Sequence, residues 1–436
     1  MNPLIVFPPA PYKALAFDHI KPEHFLPALE HWIEVAKGRQ AAIVANSESP
    51  TFDNTVVALE FSSLELNKVS SCFFNLNSAE TNESIQEIAR EFSPKLTAFS
   101  SETLLNEPLF LRIQSVYESG QELDTTEEQR LLNETYESFV RNGAALEGED
   151  RTRLTALNEE LSTLSLTFGE HVLAETKAFQ YHTATVEDLQ GLPEDVIESA
   201  AELCEQHGKK GYLLGLDMPT YMAVMKYADR SELRAHFYRA YGSRAAKENE
   251  NNNEQVIKDL VNKRMERAQL LGFDSHAQLT LSKRMAKTPR TVLNFLDHLL
   301  EVAKPAAELD LKAVADFSVA QGADLPVQPW DFSYWSEKLK MERLSLDDQA
   351  LKPYFKLENV LEGAFTVAGR LFGLHFAHNP GVPVYHEDVD AYEVFDADGN
   401  FLSLFYADFF PRAGKRAGAW MTSYQSMYTK EGSEVR

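Results

Sequence analysis

Apolar residues recur at alternating steps of three and four along most of this 436-residue chain, the period of a helix with one buried face. Leu154, Leu157, Leu161, Leu164 and Phe168 fall on one face in this way. Ile257, Leu260, Val261, Arg264, Ala268 and Leu271 do the same, and Gly272 then supplies a stop signal. A third face runs through Val292, Phe295, Leu296, Leu299, Leu300 and Val302, after Thr288-Pro289 gives a helix start. Stripes of this kind are more often core than cofactor site, and we read all three as core. The expected fold class is therefore mainly α.

Strand signals are few. Residues 178–185 alternate through Phe179, Tyr181 and Thr183, and 211–216 form a short apolar run that can pair with them. A hairpin is expected from 391–395 and 401–405, whose aromatic and β-branched residues flank an Asp-Gly turn at 396–400. This places a small β-sheet element near 382–410. Candidate boundaries fall near Gly191-Leu192-Pro193 and around 321–326, and no solenoid-like repeat is present.

Composition narrows the partners. The chain carries 42 basic and 66 acidic side chains and a net charge of −24, a surface that repels nucleic acid and anionic lipid. Cys72 and Cys204 are too few for a disulfide framework and do not form a spaced ligand pair. The N-terminus lacks the basic flank and apolar stretch of a signal peptide, and no apolar run approaches a membrane span. The expectation is a cytoplasmic protein with no nucleic-acid or membrane partner.

Several segments carry part of a metal-binding pattern. His386-Glu387-Asp388-Val389-Asp390 begins like a zinc helix, but position 390 is Asp, and Pro383 with a β-rich flank argues for an extended segment. In a strand His386, Asp388 and Asp390 would share a face, and we read a solvated acidic edge strand. His375 and His378 precede Asn379-Pro380-Gly381 and are expected at a helix end. The 396–400 segment lacks the third acid and closing Glu of a calcium loop and reads as a turn. No Gly-x-Ser-x-Gly, P-loop or dinucleotide-binding glycine pattern occurs.

Three late segments carry more information together. They are Trp330-Asp331-Phe332-Ser333-Tyr334-Trp335, Tyr406-Ala407-Asp408-Phe409-Phe410-Pro411-Arg412 and Gly414-Lys415-Arg416-Ala417-Gly418-Ala419-Trp420-Met421. In this order they resemble the approach to the active site in the M3 (thimet oligopeptidase-like) family of zinc metallopeptidases. Earlier pieces fit the same pattern: 17–28, 51–56, 139–144, Arg234, Tyr241 and Arg244, and 264–272. The segment 73–82 favours the branch of peptidyl-dipeptidase Dcp, with oligopeptidase A close by.

The resemblance implies the helical lobes of a neurolysin- or Dcp-like fold around a deep channel for short peptides. It divides the chain into an N-terminal helical region, 1–190, and the first part of a catalytic region, 191–436. It also implies one zinc held by two His and a Glu in the complete family enzyme. No His-Glu-x-x-His occurs in the sequence. No catalytic or metal residue is therefore assigned, and no zinc is expected on this chain alone. A strand through Gly418, Ala419 and Trp420 resembles one wall of the channel, able to pair with an extended peptide; the alternative is a glycine-flanked strand that merely packs, with Trp420 in the core. The leading expectation is an N-terminal part of such a peptidase, truncated and inactive alone, with short peptides and the missing C-terminal part as partners. A non-catalytic peptide-binding protein and one half of a split peptidase are the alternatives.

Overall fold

The computed structural model describes residues 1–120, 122–323, 325–346, 348–430 and 433–435. Asp324, inside one expected boundary, and Glu431, Gly432 and Arg436 at the polar end lie outside them. The longer helices are α1 (Phe25–Ala45), α2 (Leu64–Ala79), α3 (Glu83–Leu104), α4 (Glu107–Glu118), α5 (Thr126–Arg141), α6 (Gly148–Ala178) and α7 (Glu194–Gln206). They continue with α8 (Met218–Tyr227), α9 (Ser231–Gly242), α10 (Glu254–Leu270), α11 (Pro289–Ala320), α12 (Phe332–Leu344) and α13 (Leu357–Phe372). The strands are β1 (Tyr181–Thr183), β2 (Tyr212–Leu214), β3 (His375–His378), β4 (Asp390–Phe395), β5 (Phe401–Ala407), β6 (Tyr428–Lys430) and β7 (Ser433–Val435). The mainly α class and the small sheet near 382–410 are as expected. No helix among the described residues is long and apolar enough to cross a membrane.

Two compact units result: one of Met1–Thr167, Lys258–His276 and Ala368–Arg436, the other of Phe168–Ile257 and Ala277–Val367. The first unit is built on α1, α2 and α3. Phe25, Phe73 and Phe92 are fully buried there, with the Phe73 and Phe92 rings stacked at 4.2 Å. Burying one such ring contributes roughly 1.5–3 kcal/mol, so this trio anchors the unit. Local signals set the helix starts. Thr125 accepts from the Glu128 amide at 3.1 Å while the Glu128 carboxylate accepts from the Thr125 amide at 3.0 Å. Leu154 and Leu157 are fully buried on α6, as their spacing requires.

The second unit centres on Leu189, Leu214, Leu216, Val224, Leu233 and Phe237. Here β1 and β2 pair antiparallel, Tyr181 opposite Leu214, as the alternation suggested. Gly191 has φ +90° and lies so close to Tyr227 that a Cβ would meet its carbonyl oxygen at 2.2 Å, which only glycine tolerates.

The hairpin of β4 and β5 forms with a register shift between Val394 and Phe395. Gly399 takes φ +82°, and the Asp396 carboxylate accepts from the Asp398 and Asn400 amides at 2.9 and 2.8 Å, closing the turn. α10 ends at Leu270, and Gly272, φ +78°, turns the chain just beyond it, as read.

Several expectations are corrected. His375 and His378 sit on β3, not at a helix end, because α13 stops at Phe372 and Gly373, φ +69°, turns the chain into pairing with β4. His386 does not share a strand face with Asp388 and Asp390. It opens a turn, its carbonyl accepting from the Val389 amide at 3.1 Å, and only Asp390 enters β4. The third apolar stripe forms its helix, α11, with Thr288 capping the Thr291 amide at 3.2 Å, but it is not core. Phe295, Leu296, Leu299, Leu300 and Val302 are 46–63% exposed. The period makes a helix amphipathic without supplying what covers its face. The second stripe is divided likewise, with Leu260 and Ala268 buried and Ile257 and Val261 exposed.

Candidate functional site

The segment from Tyr406 to Met421 leaves β5 and is fixed at its base by a cluster of charges. Arg412 donates through both terminal guanidinium nitrogens to Asp408, at 2.8 and 2.9 Å, and through Nε to Glu80 at 2.5 Å. Lys415 Nζ adds a 2.8 Å bond to the same Asp408 carboxylate and caps the Asp408 and Phe410 carbonyls, each at 2.9 Å. The Tyr385 hydroxyl donates to the other Asp408 oxygen at 2.9 Å. Asp408, Arg412 and Lys415 side chains are only 10–11% exposed.

Burial alone would raise the Asp408 carboxyl, but the bonds from Arg412, Lys415 and Tyr385 outweigh it and hold its pKa down at about 2. Tyr385 is pushed up to about 12, first by burial and then by its bond to the Asp408 carboxylate. For Arg412, burial works against the charge, yet Asp408 and Glu80 raise it above the ordinary guanidinium value. All three groups keep their neutral-pH charge state, so the cluster is a fixed clamp and not a proton-transfer site.

Backbone contacts join this segment to the end of α2. The Thr81 amide donates to the Gly414 carbonyl at 2.9 Å, and the Arg416 amide to the Ser78 carbonyl at 2.7 Å. A Cβ on Gly414 would meet the Thr81 carbonyl oxygen at 2.6 Å, so the approach requires glycine. Behind it, Asn75 donates to the Tyr424 hydroxyl at 2.6 Å, and Phe17 contacts the rings of Tyr385, Tyr406 and Tyr424. The quoted segments 73–82 and 406–421 are thus one structural unit.

Beyond the clamp the chain is open. Residues 417–420, including Gly418, Ala419 and Trp420, are bends and coil rather than the expected strand. A strand needs a partner, and among the described residues none of the Ala417–Met421 amides or carbonyls pairs with another backbone group. Ala417, Gly418, Ala419 and Met421 are exposed, and the Arg416 guanidinium lies 4.9 Å from the centre of the Trp420 ring. The segment offers unpaired backbone to a ligand and no group able to activate water.

The histidines do not assemble. His378 pairs with Asp390 at 3.1 Å on the exposed sheet, while His386 lies 4.0 Å from Glu80 and 3.5 Å from Asp388. Among the described residues no three His, Cys, Asp or Glu side chains converge as a metal site. The donors present do not fit a catalytic zinc, which needs three protein ligands around one point.

The 330–335 segment is a second lock, inside the other unit. Arg234, 3% exposed, donates from Nε and a terminal nitrogen to Asp331 at 3.1 and 2.5 Å and packs 4.0 Å from the Tyr334 ring centre. Tyr334 in turn donates to Asp229 at 2.8 Å. Arg244 covers the Tyr241 ring at 3.6 Å and bonds the Tyr241 carbonyl at 3.0 Å. Nothing local in the sequence marks these residues as holding the fold.

Comparison with known proteins gives the same assignment. Residues 224–434 match the model of peptidase family M3. The chain is 35% identical over 433 residues to a dipeptidyl carboxypeptidase of Escherichia coli, which covers 98% of this chain and 63% of that protein. It is 34% identical over 432 residues to the Salmonella typhimurium protein of the same name, with the same coverage. An oligopeptidase A of Haemophilus influenzae is 30% identical over 410 residues, 93% of this chain and 60% of its own length. The chain spans less than two thirds of each of these relatives. Its sequence is similar to peptidase family M3 over residues 224–434, and to dipeptidyl carboxypeptidases and oligopeptidases A along most of its length.

Proposed function

We propose that these 436 residues are the N-terminal, larger part of an M3 zinc peptidase that removes dipeptides from the C-termini of short peptides. Residues 1–190 form its N-terminal helical region and 191–436 the first part of its catalytic region. The zinc ligands and the water-activating Glu belong to polypeptide outside this sequence, so the chain by itself hydrolyses nothing. The observation that carries the reading is the match along 98% of this chain to 63% of a dipeptidyl carboxypeptidase, in a sequence without His-Glu-x-x-His. Gly418, Ala419 and Trp420 contribute one wall of the peptide path, presenting unpaired backbone to an extended substrate. The uncovered apolar face of α11 supports a further polypeptide packing there.

The test is hydrolysis of an internally quenched peptide by the purified chain in the presence of zinc. No cleavage above the buffer rate is expected. Zinc-dependent cleavage that a chelator abolishes would overturn the reading.

A further inference from the structure

A groove along α9 has a chemistry that the proposed peptidase path does not use. It encloses about 660 Å³, within the range of small-ligand sites. One face of α9 forms its floor, where Glu232, His236 and Arg239 recur at steps of four and three. Phe179 and Trp330 supply aromatic walls. Trp330 is held by its Nε1 donating to Ser231 at 3.2 Å, and Arg239 lies over the indole, 4.9 Å from its centre. The His236 ring lies 5.4 Å from that of Phe179.

The two charges that α9 presents to this groove are free. Among the described residues Arg239 and Glu232 make no ion pair and His236 makes no hydrogen bond. The other cation of the groove, Lys247, is already paired with Glu175 at 2.5 Å. In a chain of net charge −24, an unpaired arginine in a concave, aromatic-walled site is a ready acceptor for a carboxylate. The acid and the base stand seven residues apart on the helix, roughly 10 Å along its axis. An extended tripeptide spans about the same distance between its termini.

We propose that this groove binds a tripeptide-length ligand with free termini and an aromatic side chain. Its carboxylate meets Arg239 and His236, its ammonium meets Glu232, and its ring lies against the aromatic walls. The proposal concerns binding alone and does not depend on hydrolysis. With a chelator present, a failed peptidase reading and a failed binding site give separate results.

The experiment is titration calorimetry of the full 436-residue chain with Ala-Ala-Phe, its C-terminal amide and its N-acetyl form. Saturable binding at about millimolar concentration or tighter is expected for the free peptide. The amide, and the variant Arg239→Ala with the free peptide, should each bind about tenfold more weakly. The N-acetyl form and Glu232→Gln should show a similar loss. Arg239 and Glu232 are exposed, so both variants should keep the parent circular dichroism spectrum. No saturable binding overturns the proposal. So does equal affinity for the amide, or for the N-acetyl form, or unchanged affinity in Arg239→Ala.

Discussion

Asp408→Asn tests the clamp that joins the 406–421 segment to α2. The native carboxylate accepts four bonds, two from Arg412 and one each from Lys415 and Tyr385, in an environment 11% exposed. Its pKa of about 2 in the fold lies roughly two units below the unfolded value of about 3.9, which corresponds to about 2–3 kcal/mol at neutral pH. Because the folded pKa is the lower one, this stabilisation is fully present above about pH 4. It is lost as the pH falls through about 2. Asparagine keeps the shape but turns an amide toward donors, leaving Arg412 and Lys415 short of negative charge. Breaking a buried pair in this way costs about 3–5 kcal/mol. The expected loss is therefore about 2–4 kcal/mol, read from urea unfolding and from faster amide exchange at Ser78–Thr81 and Arg412–Arg416. Stability of the variant should also depend less on pH between about 4 and 2. The double variant Asp408→Asn with Arg412→Met should lose less than the sum of the singles, by about 1 kcal/mol or more. A loss under about 0.5 kcal/mol, or simple additivity, would refute the reasoning.

Other outcomes follow from the same geometry. Arg234→Met removes the partner of Asp331 at a site 3% exposed, and should destabilise the unit containing α9 and α12 by about 3 kcal/mol in thermal or urea unfolding. Gly414→Ala places a methyl 2.6 Å from the Thr81 carbonyl oxygen, against backbone that cannot step aside; a lowered melting temperature is expected, and an unchanged one contradicts the close approach. Phe295→Glu with Leu300→Glu, at positions 61% and 62% exposed, should reduce self-association in sedimentation and dye binding while leaving stability within about 0.5 kcal/mol. A large stability loss there would mean that the α11 face is covered within the chain.

Much of this fold was legible because its signals are local. α6, α10 and α11 follow from spacing alone, and the β4–β5 hairpin from alternation around an Asp-Gly turn. What failed needed a distant partner. β3 is four residues, His375–His378, without a pattern of its own, and exists because β4 pairs with it. The Gly418–Trp420 segment was expected as a strand, but among the described residues no neighbour completes one. The α11 stripe was read as core since periodicity reports amphipathicity and not the surface that meets it. In the candidate site, the residues that carry the family resemblance were visible, yet their role was not. Arg412 and Glu80 are 332 positions apart, and nothing local in either segment announces the bond.

The measurement that bears most directly on the account is zinc content of the purified chain, by elemental analysis after dialysis against zinc and then against metal-free buffer. The account predicts far less than one zinc per chain, because His378 pairs with Asp390, His386 lies beside Glu80 and Asp388, and among the described residues no three ligating side chains converge. One tightly held zinc per chain would contradict it, and the catalytic assignment would have to be rebuilt on residues within this sequence.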